Sequence, residues 1–131
     1  MAGEAILIVD DNAVNLKLLR ITLAMAGYDV QTAVDAEQAM SVLASFRPRL
    51  ILMDIQLPGM DGLELTRRLK ADPATSDAIV LAVTAYAMKG DEQRALEAGC
   101  DGYVTKPIDT RTLAATIAGS LQQGSAKESR P

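Results

Sequence analysis

The chain has 131 residues with 49% hydrophobic and 23% charged, which suits one domain with a real core and excludes a disordered chain. Aromatics make up only 3%, so aliphatic side chains and alanine must fill that core. A formal net charge of -4 without a basic block disfavours nucleic acid or anionic lipid as partner, and the absence of histidine excludes a Ser-His-Asp or Cys-His catalytic site and a His-ligated metal.

Apolar runs alternate with helical patterns along the chain. Ile6-Leu7-Ile8-Val9 reads as a first strand that stops at Asp10-Asp11. Asn12 can cap a helix to about Ala26, with Leu16, Leu19 and Leu23 on one face, and Gly27 ends it as a left-handed cap. Residues 28–33 form a weaker strand. Asp35 followed by Gln38 resembles a capping box that opens a helix to about Ser45. Pro48 then separates that helix from the run Leu50-Ile51-Leu52-Met53, which closes on Asp54.

The segment from Gln56 to Gly62 is rich in turn residues, and Leu63 to Lys70 reads as a helix with Pro73 beyond its end. Residues 78–83 make a fourth strand that stops at Thr84. Asp91 to Ala98 is helical with Gly99 past the end. Tyr103-Val104 centres a short fifth strand that stops at Thr105-Lys106-Pro107. The last helix spans about Thr110 to Leu121, with Leu113, Ile117 and Leu121 on one stripe. Residues 1–123 are expected to form the domain, and 124–131 a mobile polar tail. No stretch approaches a membrane span, no signal-peptide pattern opens the chain, and Cys100 is the one cysteine. These absences predict a cytoplasmic protein.

Strict strand–helix alternation predicts an α/β fold. The sheet is expected to be doubly wound, five-stranded, parallel and flavodoxin-like, in the order 2-1-3-4-5. Its switch point then falls between strands 1 and 3. In that order Asp10, Asp11 and Asp54 meet at one sheet edge, where mutual repulsion calls for a cation. Hard oxygen ligands of this kind suit Mg²⁺ beside a phosphoryl group. Thr84 and Lys106, ending strands 4 and 5, offer a hydroxyl donor and a point charge to phosphoryl oxygens. Asp54, leaving the central strand, is the natural nucleophile for an aspartyl phosphate.

Each residue has an ordinary reading: Asp10 or Asp11 as a helix cap, Asp54 as a loop carboxylate, Thr84 as a strand end, Lys106 as a surface charge, Tyr103 as a half-buried aromatic. Their joint placement at four strand ends is what those readings fail to predict.

The segments Leu7-Ile8-Val9-Asp10-Asp11-Asn12, Leu52-Met53-Asp54 through Gly62, Val83-Thr84-Ala85 and Lys106-Pro107 resemble a receiver domain of two-component response regulators, a (βα)5 fold. Ala87-Met88-Lys89-Gly90-Asp91 is further similar to single-domain, DivK-like cell-division regulators, and also to receivers of hybrid histidine kinases. The resemblance implies that Asp54 takes a phosphoryl group from the phosphohistidine of a histidine kinase or histidine phosphotransfer protein. It implies Mg²⁺ on Asp11 and Asp54, on Asp10 through water, and on the Gln56 backbone carbonyl. It implies that Lys106 contacts phosphoryl oxygens, in a Lys106-Pro107 pair with a cis bond. It also implies that Thr84 moves to the phosphoryl group and Tyr103 turns inward behind it. A downstream protein partner would then read the helix 4–strand 5–helix 5 face.

The expected role is that of a signalling phosphoacceptor, not an enzyme. The alternatives are a haloacid-dehalogenase-like phosphatase and a receiver fragment of a hybrid histidine kinase. The first needs a second acid where Gln56 stands. Flavin binding and a docking module that is never phosphorylated fit less well, given the acidic first-strand exit and the intact set of five residues.

Overall fold

The computed structural model describes residues 3–55, 62–84, 89–105 and 108–128. Five strands alternate with five helices: β1 (Ala5–Val9), α1 (Ala13–Met25), β2 (Asp29–Ala33), α2 (Ala36–Leu43), β3 (Leu50–Asp54), α3 (Gly62–Ala71), β4 (Ile79–Thr84), α4 (Lys89–Glu97), β5 (Gly102–Thr105) and α5 (Thr110–Glu128). The sheet is parallel and its order is β2-β1-β3-β4-β5, as the alternation predicts.

The apolar runs are continuous because both faces of the sheet are covered. Alternate residues serve opposite layers. Leu7, Val9, Ile51 and Met53 pack with α2, α3 and α4, while Ile6, Ile8, Leu50 and Leu52 pack with α1 and α5. All eight are buried. Full burial of such a side chain stabilises by roughly 1.5–3 kcal/mol, so β1 and β3 carry much of the fold.

Local chemistry sets the helix ends. Asn12 caps α1, its side-chain oxygen accepting from Val14 N at 2.9 Å and Asn15 N at 3.1 Å. At the other end Gly27 has φ 98, with Gly27 N bonded to Ala24 O and Tyr28 N to Leu23 O, a Schellman motif. Gly99, φ 105, ends α4 in the same way.

Asp35 accepts from Gln38 N at 2.8 Å, but Gln38 Oε1 accepts from Val34 N, one residue before the cap, so the expected capping box is shifted by one residue. α2 stops at Leu43, short of Ser45, because Ala44 and Ser45 close a tighter turn back to Ser41 and Val42. α5 continues past Leu121 to Glu128 and takes in residues 124–128, which the sequence suggested as tail. A single glycine such as Gly124 weakens a helix by roughly 0.5–1 kcal/mol, which does not by itself end one.

Asp101 joins the edge of the sheet to α3. Its Oδ2 accepts from Lys70 Nζ and from Val80 N, each at 2.9 Å, while Lys70 Nζ also donates to Ala78 O at 2.8 Å. Asp101→Ala is expected to cost about 2 kcal/mol, because it strands the Val80 N–H and a half-buried ammonium. Arg67→Ala breaks only an exposed pair with Glu64 and is expected to cost less than about 0.5 kcal/mol. Urea denaturation of the two variants measures the difference.

Candidate phosphoacceptor site

Parallel strands all end on one side of the sheet, so whatever terminates them is collected there. β1 and β3 are neighbours in the register Val9↔Met53, which sets Asp10 beside Asp54 one step further on. The carboxylates of Asp10, Asp11 and Asp54 each offer an oxygen within 4.8 Å of the others. Asp10 is 3% exposed and Asp54 2%, while Asp11 is open to solvent. Between the two buried carboxylates, charge repulsion is on the order of 3 kcal/mol at an effective dielectric constant of ~20.

The fold holds this arrangement through its backbone. Asp10 Oδ1 accepts from Asn12 N at 2.8 Å, and Asp10 N donates to Ala33 O at 3.0 Å. Asn12 in turn caps α1, so the first helix turn and the carboxylate cluster brace one another. Asp54 ends the central strand, paired with Val83, and Ile55 N donates to Val83 O at 3.2 Å. Three hard oxygen donors with an open side fit Mg²⁺, which keeps several waters and takes one or two carboxylates plus a phosphoryl oxygen.

Thr84 ends β4 opposite Thr105 and is buried. Tyr103 lies in β5 opposite Ala82 and is 40% exposed, so it faces outward in this structure. Gln56, Lys106 and the Lys106-Pro107 bond lie outside the described residues, as do residues 85–88. Cys100 is not a competing nucleophile: burial pushes its thiol up, the Asp101 carboxylate adds to that, and a long contact to the Thr66 hydroxyl and the Lys70 ammonium offset it only in part.

Two features were not drawn from the sequence. The outer face of α1 leaves Val14, Leu18, Ile21 and Met25 exposed, at a 4-3-4 spacing that the sequence does display. Gly62 lies against the Asp54 backbone, and its signal is only a glycine where a helix begins.

Comparison with known proteins decides the family. Residues 6–118 match the response regulator receiver domain model. The chain belongs to the response regulator receiver domain family. It is 42% identical over 118 residues to the polar-differentiation response regulator DivK of Brucella anthropi, covering 90% of this chain and 96% of that protein. Among solved structures, a CheY-like receiver domain protein from Methanospirillum hungatei superposes with a TM-score of 0.87 at 30% identity, over 96% of this chain and 99% of that one. The receiver domain of the sensor histidine kinase PA1611 of Pseudomonas aeruginosa, solved with a magnesium ion coordinated in its active site cleft, gives a TM-score of 0.83 at 34% identity. The match covers 92% of this chain and 99% of that receiver. This is a two-component signalling receiver, and the phosphatase reading of the sequence gives way to it.

Relief of like charge predicts a signed effect of metal. Asp11→Asn is expected to raise thermal stability without Mg²⁺, and added Mg²⁺ is expected to raise that of the wild type but not of this variant. That rise is about 2.7 kcal/mol at a hundredfold excess over Kd. Melting curves with and without Mg²⁺ check both signs.

Proposed function

We propose that Asp54 accepts a phosphoryl group from a phosphohistidine on a histidine kinase or histidine phosphotransfer protein. The observation that carries this reading is the gathering of the Asp10, Asp11 and Asp54 oxygens within 4.8 Å at the end of the central strand. An Asp54 oxygen attacks phosphorus as the donor's P–N bond breaks, and the imidazole leaves with its electron pair. Such a transfer requires positioning and charge neutralisation more than covalent chemistry. Asp11, Asp54 and the Gln56 carbonyl hold Mg²⁺, with Asp10 acting through water. Bound there, the metal supplies positive charge to the phosphoryl oxygens. Lys106 supplies the second positive charge, and the Thr84 hydroxyl donates to the phosphoryl group.

The phosphorylated state shifts a two-state equilibrium because only there can the Thr84 hydroxyl donate to a phosphoryl group. Tyr103, exposed in β5, turns inward in that state, and a downstream protein reads the α4–β5–α5 face. Similarity to the polar-differentiation response regulator DivK supports a role in the cell cycle. No described helix is long and apolar enough to cross a membrane.

The donor's histidine must reach Asp54, so the donor covers the rim of the site, and α1 begins at that rim. Val14, Leu18, Ile21 and Met25 run from there along the helix at a spacing suited to packing against another helix. The donor therefore lies against α1 helix to helix.

Acetyl phosphate with Mg²⁺ is expected to add one phosphoryl mass, removable by hydroxylamine, to the wild type and none to Asp54→Asn. Equal labelling of that variant in intact-mass spectra removes Asp54 from the role. Leu18→Asp is expected to slow transfer from a phosphorylated kinase at least tenfold and to leave labelling by acetyl phosphate unchanged. Transfer from the kinase at the wild-type rate would show that α1 does not face the donor.

A further inference from the structure

We propose that Gly62 is a positioning residue for Asp54: the absence of a side chain at the start of α3 is what lets the end of β3 hold the phosphoacceptor in place. This rests on the reading of Asp54 as phosphoacceptor. A Cβ on Gly62 would collide with the Asp54 carbonyl oxygen and lie 2.7 Å from Ile55 Cα and 2.9 Å from the Asp54 carbonyl carbon. All three atoms are backbone, so no side-chain rotation relieves the clash. Ordinary carbon contacts lie at about 3.5–4.0 Å, so the two segments would have to part by about 1 Å.

Other reasons for a glycine are absent. Gly62 is not among the described glycines with positive φ, and at a helical position alanine is the better helix former. The close approach to Asp54 is therefore the reason this position is bare.

Both segments are firmly held: Asp54 is buried at the end of the central strand and paired with Val83. Leu63, Leu65, Thr66 and Leu69 are all buried, and the Thr66 hydroxyl donates to the Gly62 carbonyl at 2.8 Å. The end of β3 is held beyond Asp54 by the bonds of Ile55, whose N–H reaches Val83 O and whose carbonyl accepts from Gly62 N at 3.2 Å. A methyl group at Gly62 thus presses directly on the Asp54–Ile55 peptide, which carries the phosphoacceptor. A misplacement of about 1 Å at a reacting group can cost about a hundredfold in rate.

The test compares wild type, Gly62→Ala, Gly99→Ala and Asp54→Asn, each labelled by acetyl phosphate at saturating Mg²⁺ and followed by intact mass. Gly99→Ala is the stability control, since it strains a left-handed helix end at the opposite edge of the sheet. Gly62→Ala is expected to fold, by circular dichroism, and to be labelled at least tenfold more slowly. Gly99→Ala is expected to melt earlier and keep its rate within twofold. A Gly62→Ala rate within twofold of wild type overturns the proposal, as does equal slowing of both glycine variants. An unlabelled wild type, or an Asp54→Asn variant labelled as fast, removes the phosphoacceptor reading itself and the proposal with it.

Should Gly62→Ala not fold, amide exchange on the wild type decides. A ligand that binds only when the Gly62–Ile55 contact is closed suppresses its opening. Beryllofluoride with Mg²⁺ is expected to slow exchange at the Gly62 N–H at least tenfold more than at the Gly99 N–H. Equal slowing overturns the proposal.

Discussion

Two buried carboxylates, Asp10 and Asp54, stand side by side at the end of neighbouring strands, and a third, Asp11, closes the group. Nothing in the hydrophobic effect favours this. The sheet enforces it, because parallel strands share one terminal edge and Val9 is in register with Met53. Apolar packing on both faces supplies the stability that offsets the repulsion. What results is a site of concentrated negative charge, prepared for a cation and, with it, for a phosphoryl group that anions alone would repel.

Among the described residues, backbone N–H groups support the cluster. Asn12 N–H binds Asp10, Ile55 N–H binds Val83, and Gly62 N–H binds Ile55. Such contacts fix the peptide units from which the carboxylates project. They also explain why residues without chemistry of their own matter here. Gly62 contributes no functional group, yet its missing side chain allows α3 to lie directly against the strand that carries Asp54.

The proposed docking and output surfaces rest on the same frame. α1 starts at the rim of the cluster and buries Leu16, Leu19 and Leu23 toward the sheet while showing a second apolar stripe outward. A helix that is apolar on two faces can be packed twice, which is the basis of the proposed donor contact. Tyr103, exposed on the short edge strand β5, sits on the far side, where a change at Thr84 can be felt through the Thr84–Thr105 pairing.

Much of this was legible in the chain itself. Continuous apolar runs ending in charge gave away buried parallel strands, because only a sheet covered on both faces tolerates them. Gly27 and Gly99 marked helix ends because the left-handed turn there excludes other side chains. The strand-end residues Asp10, Asp11, Asp54 and Thr84 identified the edge that carries the site. The reach of α5 to Glu128 was hidden, since polar residues of good helix propensity read alike in helix and tail. The outward stripe of α1 was overlooked beside its inward one, because periodicity alone does not say which face meets the sheet. The contact between Gly62 and Asp54 was beyond reading, since it depends on the angle at which α3 leaves its loop. Order and chemistry along the chain thus determined which residues would share an edge. Distance and burial, and with them which carboxylates truly meet, were decided only when both layers of helices closed on the sheet.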